Sequence, residues 1–132
     1  MRIATATAER VIVLPATAAA AGVARRELAA TPGLAGEIGY KVLLLSSELI
    51  AVLVASAESQ PDVLLRLSVS VSPERVRVAV AGDVPQASAD ALLHSRETPS
   101  LGGYGLQIVD RMADAWGCAG GDGAQIWFEL AR

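Results

Sequence analysis

Gly102, Gly103 and Gly105 fall within four residues, and the chain then runs into Leu106, Val109, Met112, Ala113 and Trp116 at helical spacing, with Gly117 placed as a C-cap. Glycines just ahead of a helix let the backbone approach a ligand closely. They also leave N–H groups at the positive end of the helix dipole, an arrangement suited to phosphate. The plain alternative is a helix entry whose turn needs glycine. Glu48 is the carboxylate with general-base potential. It sits in an almost wholly apolar run, where desolvation by Leu44, Leu45 and Val52 favours its protonated form. The alternative role is a helix carboxylate bonded to nearby backbone or serine. His94 is the single histidine, so a Ser/His/Asp triad would have to use it, and it lies in a loop-like stretch with Ser95, Arg96 and Glu97. Cys118 stands alone, which excludes an intramolecular disulfide and a cysteine-based metal site; after Gly117 it is expected to be a small buried hydrophobe rather than a reactive thiol.

The chain has 132 residues, enough for one domain over residues 1–132 with a single core, and its 52% apolar content favours folding. A net charge of −3 offers no electrostatic footprint for nucleic acid. Lys41 is the only lysine among abundant arginine and alanine, which points to a GC-rich, bacterial genome. No sustained apolar segment precedes Arg10, so no signal peptide is expected. Residues 42–57 are apolar but short of the roughly 20 residues a bilayer span needs, and they contain Glu48. They are expected to form a buried core helix of a cytoplasmic protein without membrane contact.

These chemical groups need elements to position them. Residues 3–14 contain the β-rich run Arg10-Val11-Ile12-Val13-Leu14, ended by Pro15, and are expected to give one or two strands. Residues 17–30 form an alanine-rich first helix with Arg25 and Arg26 outward, and residues 38–57 a second, more apolar one. Residues 63–71 and 75–81 alternate apolar and polar around Ser72-Pro73-Glu74, which predicts an antiparallel hairpin with one solvated face. Residues 82–100 look like a loop, and a third helix follows from about Gly103. A turn at Gly120-Gly121-Asp122-Gly123 leads into a closing strand over 124–130, with Ile126 and Phe128 on one side and Trp127 and Glu129 on the other. The order predicts an α/β (α+β) two-layer sandwich: a mainly antiparallel sheet with three helices on one face. Trp116, Trp127 and Phe128 are expected in the core or on a sheet face.

Ser47-Glu48-Leu49-Ile50 on the second helix, the paired valine strands, Gly103-Tyr104-Gly105-Leu106 and the ending Trp127-Phe128-Glu129-Leu130 resemble the bacterial anti-sigma-factor serine kinases. These belong to the histidine-kinase-like ATPase (GHKL) superfamily, whose architecture is the Bergerat fold. The resemblance covers the chain from Leu14 to its end and rests on the order and spacing of the motifs together.

The resemblance implies ATP and Mg²⁺ as cofactors, with a helix glutamate as general base and an asparagine four residues on, one turn away on the same face, as metal ligand. Here Glu48 stands in the glutamate position and Val52 in the asparagine position. Valine offers no oxygen to a hard cation, so Mg²⁺ loses its ligand and ATP is held weakly. The adenine-contacting aspartate of the family aligns with Gly82, leaving Asp83 one residue late. Alternation then turns Asp83 the wrong way unless a bulge at Gly82 restores it. Gly103, Tyr104, Gly105 and Leu106 keep the phosphate-facing segment, with Tyr104 in a slot often basic in relatives. The implied partners are a sigma factor and a STAS-domain antagonist; an exposed apolar face and family habit add a homodimer. Three readings follow: a regulatory protein-binding member with degenerate nucleotide chemistry, an active Mg-ATP-dependent serine kinase, and a ligand-free interaction scaffold.

Overall fold

The computed structural model describes residues 8–57, 62–83, 106–119 and 123–132. Their order is β1 (Ala8–Pro15), α1 (Ala20–Ala29), α2 (Gly36–Ser56), β2 (Leu64–Val71), β3 (Arg75–Gly82), α3 (Leu106–Met112), β4 (Ala115–Ala119) and β5 (Ala124–Ala131). The strands form one sheet in the order β1-β2-β3-β5-β4, antiparallel at every pairing. The α+β two-layer class expected from the sequence is therefore present.

Alternation decides which side of the sheet is dry. Leu65, Leu67, Val69 and Val71 on β2, Val76, Val78 and Val80 on β3, and Ile126, Phe128 and Leu130 on β5 are buried, whereas the residues between them are half-buried or exposed. The helices cover that inner side. On α1, Ala20, Ala21, Ala24 and Leu28 form the buried stripe, whose small residues let the helix lie close to its neighbours, and Arg25 and Arg26 point outward as expected. Helix α2 packs against α1, β3, β5 and α3. Its length and apolarity would allow it to cross a membrane, but 56% of its most apolar window is already covered by the rest of the domain, as in a core helix.

Polar contacts fix the ends of these elements. Arg10 on β1 reaches across to α1, where Nη1 donates to the Glu27 carbonyl (2.7 Å) and to Thr31 Oγ1 (3.0 Å), and Nη2 pairs with the Glu27 carboxylate. Between β2 and β3, Ser72 Oγ accepts from the backbone N–H groups of Glu74 (3.3 Å) and Arg75 (3.1 Å). That is how three residues turn the hairpin without losing register.

The stretch after α3 departs from expectation. The third helix ends at Met112 rather than running on to Gly117, and Ala115–Ala119 is a strand. The Asp114 N–H donates to the Glu129 carbonyl (2.9 Å), and its carboxylate accepts from the Ala131 N–H (2.6 Å), so Asp114 already belongs to the sheet. Trp116 then faces Phe128 across β4 and β5, while its Nε1–H donates to Asp110 on α3 (3.0 Å). Cys118, expected to be buried, is exposed on β4, the edge strand of the sheet.

Candidate functional site

Helix α2 presents Glu48 and Val52 one turn apart on one face. Both are closed off from solvent, Glu48 at 2% exposure and Val52 at 0%, and Leu49 and Leu53 beside them are equally buried. Val52 is thus a core side chain. Nearby on the same helix, Ser47 Oγ donates to the Leu43 carbonyl (2.8 Å) and lies 3.4 Å from Arg25 Nη1. Ser46 Oγ is buried without a hydrogen-bond partner. Among the described residues no group of three or more histidine, cysteine, aspartate or glutamate side chains gathers in a form that could hold a metal ion.

The pairing of β3 settles the direction of Gly82 and Asp83. The register that opens with Val71 opposite Val76 runs unbroken to Leu65 opposite Gly82, and β5 follows β3 in the same way to Ala124 opposite Gly82. No bulge forms. Gly82 therefore faces the helices, where an added Cβ would sit 2.8 Å from Leu65 Cδ2 and 3.9 Å from Leu53 Cδ1. Asp83 lies with the outward-facing residues. It lines a cavity of about 520 Å³ with Val13, Leu64, Arg66, Ala81 and Gln125, on the side of the sheet that none of the described helices covers. The fold thus brings Glu48 and Val52 together inside the helix layer and sets Asp83 apart from them.

Gly103, Tyr104 and Gly105 lie outside the described residues, as do His94 and the loop around it. Leu106 is the first residue of α3. Helix α3 packs on α2, the helix that carries Glu48.

The sheet face that none of the described helices covers is a second candidate surface. Val11, Val13 and Leu64, each more than half exposed, stand at its β1–β2 side. Its floor is made of small residues: Ser68 and Ser70, Ala79 and Ala81, and Gly117. Trp127 stands over Gly117, where a Cβ would meet the indole at 3.1 Å, and the Arg77 guanidinium lies 4.3 Å from the ring centre. Arg77 also pairs with Glu129 (2.8 Å), which Arg75 approaches at 3.4 Å. Strand alternation in the sequence places Trp127 outward. The clustering of Arg77, Trp127 and Glu129 depends on the β3–β5 pairing, which no local pattern announces. No protein-family model matches the chain, and none of the curated proteins compared with it matches.

Proposed function

We propose that this chain is a regulatory protein of the anti-sigma-factor type whose nucleotide site is degenerate, and that it acts in the cytoplasm by binding a sigma factor and a STAS-type antagonist in competition. The observation that carries this reading is the burial of Val52 one turn from Glu48. Phosphoryl transfer depends on a cation neutralising the transferred group, and the helix position best placed to supply an oxygen ligand holds a hydrocarbon packed into the core. A glutamate sealed at 2% exposure is likewise poorly placed to take a proton from a protein substrate. What remains useful is the scaffold: a five-stranded sheet, an α1 with Arg25 and Arg26 outward, and a sheet face that none of the described helices covers.

Calorimetric titration with ATP, with and without Mg²⁺, tests the reading. The expected result is weak binding with little dependence on Mg²⁺, and no phosphate transfer to a STAS-domain protein. Tight, Mg-dependent binding would overturn it in favour of an active serine kinase. Binding of purified sigma factor to the nucleotide-free chain is the positive counterpart. A Val52→Asn variant needs its fold checked first, because an amide placed at a fully buried site costs roughly 2 kcal/mol or more if it finds no partner.

A further inference from the structure

We infer that α1 is a detachable flap: it opens and refolds as one unit while α2 and the sheet stay folded, and Arg10 is the latch that holds it shut. The proposal is independent of the nucleotide reading. The helix, its two connections and the surfaces it packs on all lie in the described stretch 8–57.

The attachment of α1 is slight beside that of α2. Helix α1 buries Ala20, Ala21, Ala24 and Leu28, so a single buried side chain is larger than a methyl group. Helix α2 brings Leu45, Leu49, Ile50 and Leu53 to 0% exposure. Apolar stabilisation follows the area removed from water, which makes α1 the more weakly held of the two. Position adds to this. Helix α1 packs chiefly on α2 and on β1, an outermost strand of the described sheet, whereas α2 also rests on the inner strands β3 and β5. Lifting α1 away bares Ile12 and Leu14 at the sheet margin and leaves α2 on β3 and β5. The released segment does not stay helical. Ten residues fall below the roughly 12–15 at which an isolated helix becomes even marginal. Its N-cap, Ala19, supplies no side-chain bond, and its first turn holds no acidic residue. Opening is therefore all or none.

Polar contacts close the flap. Arg10 shares the inward register of Ile12 and Leu14 on β1 and reaches the last turn of α1. There it bonds to the Glu27 carbonyl and to Thr31 Oγ1, and it pairs with the Glu27 carboxylate. The pair is 37% and 43% exposed, so dissolved ions reach it and salt weakens the latch. Arg25 Nη1 adds a contact to Ser47 Oγ at 3.4 Å, the long end of hydrogen bonding. The connections suit a hinge. The Ala16 N–H is pinned to the Val63 carbonyl (3.0 Å). Gly33 and Gly36, at φ +88° and +76°, both lie between α1 and α2. Closed, the flap presents Arg25 and Arg26 on an ordered helix. Open, that surface is lost and Ile12 and Leu14 are bared, so the latch decides which of two surfaces the domain offers.

Hydrogen exchange of the unmodified chain, followed amide by amide by NMR at urea concentrations below the unfolding transition, tests the proposal. Amides of residues 24–29 are expected to exchange through an opening at least about 100-fold more populated than the one that frees Val78, with a weaker urea dependence because less surface is exposed. Ile126→Val, in the core of β5, should speed exchange at Val78 several-fold and leave residues 24–29 unchanged. Arg10→Met keeps the stem of the side chain and removes the latch, so residues 24–29 should exchange about tenfold faster. Added sodium chloride should speed them in the unmodified chain more than in Arg10→Met. Ile126→Val acting equally on residues 24–29 and on Val78 would overturn the flap, since α1 would then open only when the whole domain unfolds. Unchanged exchange of residues 24–29 in Arg10→Met would overturn the latch.

Discussion

The same substitution, glycine to alanine, should have opposite effects in the first two helices. In α2, Gly39 is buried in the second turn, and a Cβ built there would lie 1.9 Å from the Leu34 carbonyl oxygen and 2.7 Å from its carbon. Both are backbone atoms, so no rotamer change relieves the clash. Reaching an ordinary C···O separation requires the helix entry to move from the Thr31–Leu34 turn by about 1.4 Å. Overpacking of this kind costs roughly 3 kcal/mol at its upper range. Better helix propensity and a less flexible unfolded chain return about 1 kcal/mol. The net loss is thus about 2 kcal/mol, or a fall in Tm of about 8 °C for a domain of this size. In α1, Gly22 has only the Arg25 Nη2 atom near its Cβ position, at 3.8 Å, an ordinary contact. There the propensity gain stands alone, and Gly22→Ala should raise Tm by about 3 °C. Thermal melts followed by far-ultraviolet circular dichroism, with urea titrations alongside, measure both. A Gly39→Ala variant as stable as Gly22→Ala would refute the close packing of α2 on the Leu34 carbonyl.

Further outcomes follow from other contacts. Phe128→Ala, at a fully buried position in the middle of β5, should cost about 3–5 kcal/mol and leave the domain partly unfolded in a urea titration at room temperature. Arg77→Ala removes the guanidinium from the Trp127 face together with a half-exposed ion pair; after solvent screening the loss is about 1 kcal/mol, with an altered tryptophan emission as the direct readout. Asp114→Ala should speed hydrogen exchange at the Ala131 amide while leaving the Ile126 amide protected, because only the strand end loses its acceptor.

How far the sequence carries can be judged from where it misled. The β2–β3 hairpin is legible because strict alternation and a Ser-Pro-Glu turn agree, and α2 because a long apolar run with one carboxylate fits a core helix. Strand β4 is not legible, for a reason of geometry. Val109, Met112 and Trp116 continue a helical repeat, yet an inward-facing strand residue placed one turn after a helix reads the same in so short a window. What distinguishes the two is Asp114, whose partners, Glu129 and Ala131, lie far along the chain. Cys118 misled for a related reason. Alternation places it on the side of Trp116, opposite Ile126, but β4 is an edge strand, and position at an edge is set by the pairing of distant strands rather than by the local pattern.

The candidate site divides along the same line. That Glu48 and Val52 share a face follows from four-residue spacing alone; that Val52 is sealed in the core depends on α1, the sheet and α3 all packing on α2. Asp83 is the sharper case. Its direction depends on whether Gly82 bulges, and the neighbouring strands settle that by pairing with Gly82 from both sides in one register. A bulge would have to break two ladders at once and drive the next side chain toward Leu53 and Leu65. Glycine suits that inward position, where a Cβ would come within 2.8 Å of the Leu65 Cδ2 methyl and displace it. The same unbroken register sends Asp83, one residue on, to the opposite side of the sheet, beside Arg66 and Gln125.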